Sequence, residues 1–337
     1  MAILTLLDIA KRSGSDREIG LIEDVTTFAP EMGALPVRPI NGVSFKSTLR
    51  TSYPTAAFRA VGGGVTPSKS EYTQKLAECF FVDCQLQIPE ELPDSEDRTV
   101  GDVLTDEAVG AVRGVGITLG SQLYYGTASD ANGFQGLQTF VGSGSTLTVS
   151  AAGTGATTTS VYLLYLDPKG IHFVAGRTAG ARSAANVALP SNEPEIIAPP
   201  FRMPEWSKQQ VQIGTAGKVA MAYVSNFSGW LGLAYGSNYS AFRVRNVVGG
   251  STTGAFTDSL AAKLLSNVPL HIRNSGRLKW FMNPQAAFGL QASRTVTAPA
   301  LQSGGATGAI MAAPIPTECQ GIPIQLTNSI LNTETAS

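Results

Sequence analysis

A helical pattern of about 30 residues, carrying five glycines and halting at a Gly-rich turn, constrains this chain most. From about 95 to 125, Val100, Leu104, Ala108, Val112, Val115, Leu119 and Gln122/Leu123 recur at spacings of three and four, which is one apolar helix face. Asp94 or Ser95 is placed to cap it. Glu96, Asp97, Asp102, Asp106 and Glu107 load its N-terminal half, where the helix dipole favours acids. At ~1.5 Å per residue it spans roughly 45 Å. Gly101, Gly110, Gly114, Gly116 and Gly120 weaken it by up to ~1 kcal/mol each, so packing has to hold it. Gly110 and Gly114 share a face, which would permit close backbone approach. The pattern then runs into "YYGTASDANGFQGLQTFV", residues 124–141, where apolar spacing returns at Phe134, Leu137, Phe140 and Val141. Such a helix reads as a spine laid along a sheet.

The segments before it cannot bury themselves. Thr5 can cap a short helix through Arg12, and residues 15–40 carry Pro30, Pro36 and Pro39 with little periodicity, an extended arm. In "GVSFKSTLRTSYP", residues 42–54, Val43, Phe45, Ser47, Leu49 and Thr51 alternate with polar neighbours, a period-two strand. "EYTQKLAECFFVDCQLQIP", 71–89, supplies a second strand, and Gly62-Gly63-Gly64 lies between them. The economical reading is a long hairpin with a glycine tip. A lone hairpin is marginal in water and must lie on something.

After residue 140 the chain reads as mostly β. Ser160–Leu166, "GIHFVAGRT", "QQVQIGTAGKVAMAYV" and "FRVRNVV" are expected strands. From Thr257 the pattern becomes helix ("TDSLAAKLLSNV"), buried strand ("LKWFMN"), helix with Pro284 at its first position, and a last strand at 321–331.

Composition and charge narrow the function. Of 337 residues, 15% are charged and 43% hydrophobic, against about 25% charged in an ordinary soluble domain. A surface so poor in charge suits coverage by other copies of the chain; the competing reading is an extracellular or β-rich monomer. Residues 83–130 hold ten acids and two bases, and 41–75 hold five bases (Lys46, Arg50, Arg59, Lys69, Lys75) and one acid, Glu71. Opposed patches in a chain of net charge −1 suit self-association better than nucleic-acid wrapping.

Signals for chemistry are weak. His172 and His271 are the only histidines, and neither lies beside a Cys or acid at ligand spacing. "GRTAGARS", 176–183, lacks the Lys-Ser/Thr ending of a phosphate loop. No G-x-S-x-G elbow occurs. Cys79, Cys84 and Cys319 fit no zinc or redox spacing and read as free thiols. No catalytic, cofactor or metal site is expected. Apolar runs fall short of the ~20 residues of a membrane span, and no signal peptide is read at the start.

The order of these parts resembles the major capsid protein of tailed phages, the Hong Kong 97-type fold. "FKSTLRTSYPTAAFRAVGGGV…KSEYTQKLAECFFVDCQL" is similar to its E-loop, and the helix closing in "YYGTASDANGFQGL" to its spine. "LKWFMNPQAAFGLQ" and "GIPIQLTNSILNTE" resemble its A-domain strand, helix and following strand. The resemblance implies an α+β fold with an N-terminal arm (1–40), E-loop hairpin (41–88), P-domain with spine helix (89–250) and A-domain (251–337). About 115 residues, from 142 on, intervene between the turn that closes the spine and the helix near 257. Either the P-domain sheet is built from 142–250 in a permuted arrangement, or that stretch is an inserted surface domain.

The implied function is self-assembly into hexamers and pentamers of an icosahedral head shell around double-stranded DNA. Implied partners are other copies, a portal protein, scaffold and cement or decoration proteins and non-specifically packaged DNA, without a membrane or cofactor. The implied location is the virion, with assembly in the host cytoplasm. An encapsulin-like compartment shell and a secreted β-rich carbohydrate-active protein are the alternatives. The charge split places Lys46, Arg50 or Arg59 of one subunit against Glu90, Glu91, Asp94, Glu96 or Asp97 of the next.

Overall fold

The computed structural model describes residues 30–40, 42–93, 99–155, 157–176, 206–212, 219–250, 254–294 and 313–336, and the backbone of 201–202, 296–298 and 309–311. The helix expected after Thr5 and the arm before residue 30 lie outside the described residues. In chain order the strands are β1 (Val37–Ile40), β2 (Ser44–Ser52), β3 (Glu71–Glu78), β4 (Phe80–Pro89), β5 (Thr148–Ser150), β6 (Thr158–Tyr165), β7 (Ile171–Gly176), β8 (Phe201–Arg202), β9 (Ser207–Gln212), β10 (Val219–Tyr235), β11 (Ala241–Val248), β12 (Leu278–Met282), β13 (Val296–Ala298), β14 (Ala309–Met311), β15 (Glu318–Cys319) and β16 (Ile322–Leu326). The helices are α1 (Pro30–Ala34), α2 (Val100–Tyr125), α3 (Leu137–Phe140), α4 (Asp258–Ser266), α5 (Leu270–Arg273) and α6 (Pro284–Arg294).

Two mixed sheets carry the body. The first runs β1-β7-β10-β4, with β8 and β9 also on β10; the second runs β15-β16-β12-β6-β11-β5. The chain passes between them through the spine helix, from β4 to β5, and by two short crossings at 166–170 and at 236–240. The two short crossings touch: Gly236 N–H donates to Gly170 O at 2.7 Å, and Tyr165 N–H to Ser240 O at 3.0 Å. Only glycine fits at 170, because a Cβ there would sit 2.2 Å from Tyr165 O.

The segment 142–250 therefore divides its strands between both sheets. β7 and β10 join β1 and β4, whereas β6 and β11 join β12. It is not an inserted domain with a sheet of its own. The boundary expected at 250/251 runs through the second sheet, where Trp280 of β12 pairs with Leu163 of β6. Alternation along each strand marks its faces, but pairing partners this far apart leave no mark in the pattern.

The spine helix α2 starts later than expected. Its cap is Thr99, whose Oγ1 accepts from Asp102 N at 3.3 Å; Asp94 and Ser95 lie outside the described residues. The buried stripe is Val103, Ala111, Val115, Leu119 and Leu123, a different stripe from the one expected over the first turns. Val112 is exposed. The C-terminal half is the packed half, so the first turns tolerate apolar residues that face outward. Gly110 and Gly114 do not face a backbone, since a Cβ on either would meet nothing within 4 Å. Gly116 and Gly120 are the buried pair.

The expected second hairpin strand breaks in two at Cys79. β3 pairs with β2, from Ser44 opposite Glu78 to Ser52 opposite Glu71, whereas β4 pairs with β10. The described end of the arm is docked on its own subunit: β1 lies parallel to β7, and Glu31 and Leu35 are buried. Two cores result. One packs α2 and its turn (Leu119, Leu123, Tyr124, Phe134) on the first sheet (Phe173, Leu231). The other packs α4 and α6 (Leu264, Leu290) on the second sheet around Phe242 and Trp280.

Candidate subunit interface

The hairpin is the part of the chain that stands off its own body. Phe45, Ser47 and Leu49 of β2 face inward and Lys46, Thr48 and Arg50 outward, as the period-two pattern requires. Arg50 Nη2 donates to Tyr72 Oη at 2.8 Å, and its guanidinium lies 5.5 Å from the Tyr53 ring and 5.2 Å from the Tyr72 ring. This cross-strand stack stiffens the shaft, and the Arg50 hydrogen bond holds the Tyr72 phenol below its ordinary range. At the tip, Gly63 N–H donates to Ala60 O at 3.0 Å around Gly62, whose φ is 85°. That left-handed third position explains a glycine here. Arg59 Nη1 donates to Gly63 O at 2.8 Å. The tip then presents Phe58 and Val61 at 109% and 107% exposure.

The root is held by polar and aromatic contacts. Lys75 Nζ donates to Asn238 Oδ1 at 3.1 Å and lies 5.0 Å from the Phe140 ring centroid. Phe140 stacks on Tyr235 with centroids 4.0 Å apart. Partial burial lowers the Lys75 pKa. On the other side Arg38 lies 4.5 Å over Phe45, whose ring meets His172 edge-on at 6.2 Å. His172 is buried, and desolvation, then the Arg38 charge, hold its pKa down to about 4.

Of the residues singled out from sequence, Lys46 and Glu91 are exposed. Arg50 and Arg59 hold contacts within the hairpin, as given above. Glu90 takes Lys208 Nζ on Oε1 at 2.5 Å within the same subunit. Asp94, Glu96 and Asp97 lie outside the described residues. Among the described residues no group of three His, Cys, Asp or Glu side chains is placed to hold a metal. No described helix is long and apolar enough to cross a membrane.

Sequence reasoning missed a buried joint at the end of the spine. Glu334, in the tail beyond β16, accepts from Tyr125 Oη at 2.8 Å, Ser160 Oγ at 2.5 Å and Arg243 Nη2 at 3.0 Å. Arg243 Nε donates to Ser160 Oγ at 2.9 Å, and Leu331 N–H donates to Tyr125 Oη at 2.7 Å. The tail thus ties the spine helix to β6 and β11. A Glu near a chain end gives no sequence signal for this.

The fold of two mixed sheets, spine helix and projecting hairpin is that of a phage capsid subunit. The chain is similar to a solved capsid structure of bacteriophage Epsilon15, with 17% identity, a TM-score of 0.69, and coverage of 100% of this chain and 98% of that one. It is also similar to the capsid of bacteriophage JBD30 decorated with minor capsid protein trimers, with 13% identity, a TM-score of 0.51, and coverage of 97% and 99%. Residues 22–337 match the family model for Major capsid protein GP7, and the chain belongs to that family. No curated protein sequence matches it. It is a structural subunit of a phage head shell, found in the virion and assembled from copies of itself.

Proposed function

We propose that the subunit forms hexamers and pentamers that close an icosahedral head around double-stranded DNA, bound without sequence preference. Assembly takes place in the host cytoplasm, with a portal protein at one vertex and scaffold and decoration proteins as further partners. The observation that carries this is the hairpin, which leaves Phe58 and Val61 bare on a stiff shaft; a monomer gains nothing from such exposure. The opposed charge of 41–75 and 83–130 supports a hairpin crossing the next subunit, with Lys46, Arg50 or Arg59 near Glu90, Glu91, Asp94, Glu96 or Asp97.

Electron microscopy and size measurement of the recombinant protein test this. Closed particles, or hexamers and pentamers, are the expected result. A species that stays at 35.2 kDa at every concentration and salt overturns it.

A further inference from the structure

The arm's described end is seated where the end of the spine meets the tail beyond β16. α1 packs on α2, and Met32, Ala34 and Leu35 share a core with Tyr124 and Ile330. Into that apolar seat the sequence puts an acid. Glu31 is 0% exposed, and neither of its carboxyl oxygens has a hydrogen-bond partner. Tyr124 of α2 is the titratable group that faces it, and its Oη is likewise buried and unbonded. Tyr162 of β6 lies behind Tyr124, with ring centroids 5.1 Å apart. From the tail come the Ser329 and Thr327 hydroxyls. Among the described residues no Lys, Arg or His acts on the carboxyl. We propose that Glu31 is a proton-operated latch: neutral, it keeps α1 seated; ionised, it releases α1 and the arm before it from the spine and the tail. The latch belongs to the single subunit and stands apart from the shell reading.

A buried carboxylate with no partner costs far more than the neutral acid in the same place. Burial accordingly holds the Glu31 pKa above the ordinary 4.5, and the Ser329 and Thr327 hydroxyls offset this only in part. With the folded value raised, the stabilisation is fully present below 4.5 and lost as pH rises through the folded value. The loss falls on α1 rather than on the whole subunit. α1 has five residues, Pro30–Ala34, and Leu35 N–H closes it by donating to Glu31 O at 3.0 Å. A segment this small can open locally while the two cores stay intact. Lifting away also gives the anion the water that the seat cannot supply.

Amide hydrogen exchange of the purified full chain at about pH 5 and about pH 8, corrected for the intrinsic pH dependence of exchange, tests this. In the parent, protection over residues 31–35 should fall about tenfold or more from the lower pH to the higher, while the core strand β12 keeps its own. Glu31→Gln, which keeps the shape without the charge, should hold its protection at both pH values. His172 cannot mimic the effect, because its pKa lies below the ordinary value and its loosening grows toward acid. Parent protection that does not change with pH overturns the inference, and so does a fall in Glu31→Gln as large as the parent's. If Glu31→Gln fails to fold, Glu31→Met takes its place with the same expectation, and the parent's own comparison between the two pH values still decides.

Discussion

Arg243 Nη2 and Glu334 Oε2 lie 3.0 Å apart, with both side chains about 5% exposed, so the end of the chain is bonded into the middle of the second sheet. A buried ion pair is seldom a net stabiliser, but removing one partner strands the other charge. Removing Glu334 would also leave the Ser160 and Tyr125 hydroxyls without their acceptor. Glu334→Ala or Arg243→Ala should each lower the unfolding free energy of the unassembled subunit by about 3–5 kcal/mol. Arg243→Met with Glu334→Met should recover most of that loss. Urea unfolding measures it; two additive single effects would show that the pair does not act as a unit.

His172 sets a pH dependence. Its folded pKa of about 4 lies below the ordinary 6.5, so between those values the unfolded chain takes up the proton and the folded one resists. Its contribution is fully present above pH 6.5 and lost as pH falls toward 4, by roughly 3 kcal/mol in all. The loss should loosen the hairpin root, because the ring packs against Phe45 of β2. His172→Phe should flatten the stability profile between pH 6.5 and 4. A parent and variant with the same acid slope would remove His172 as the cause.

The glycines separate into two kinds. Gly126 has φ 58°, and a Cβ there would fall 2.0 Å from Gly136 N. The end of the spine and the start of α3 are thus in backbone contact, and Gly126→Ala should give insoluble protein or a loss above ~4 kcal/mol. Gly110 and Gly114 have open space around them, so Gly110→Ala and Gly114→Ala should each raise subunit stability by about 0.5–1 kcal/mol. Thermal melts of the three variants check both statements. If Gly110→Ala or Gly114→Ala stabilises the subunit yet impairs assembly, those glycines serve a neighbouring subunit.

Much of this was legible in sequence because periodicity records burial. The alternation at 43–51 placed the hairpin shaft, the helical pattern from Thr257 placed α4, and the "YYG" stop placed the end of the spine. Long-range pairing was not legible. Nothing in "FFVDCQLQIP" distinguishes a continuation of the hairpin from a strand that leaves at Cys79 to pair with β10. The start of the spine was misread because its first turns are only half-buried, and two apolar stripes fit the same residues. The Glu334 joint was invisible, since a lone acid near a chain end looks like any solvated residue until Arg243 and Ser160 are placed around it.

The charge split gives the last prediction. Arg50 and Arg59 hold partners within the hairpin and Glu90 holds Lys208, so Lys46 and Glu91 are the cleaner pair to test between subunits. An exposed pair contributes only ~0.2–1 kcal/mol, too little to hold a shell but enough, repeated at every contact, to bias register while assembly stays reversible. Lys46→Glu should slow assembly, and Glu91→Lys in the same chain should restore part of the rate, because each subunit then meets a neighbour of reversed sign. The rescue should fade as salt is raised and the Debye length falls below its ~8 Å physiological value. Light scattering at several ionic strengths follows all three effects. An equal slowing by both single reversals and their combination, at every salt, would mean that Lys46 and Glu91 do not face each other across the contact.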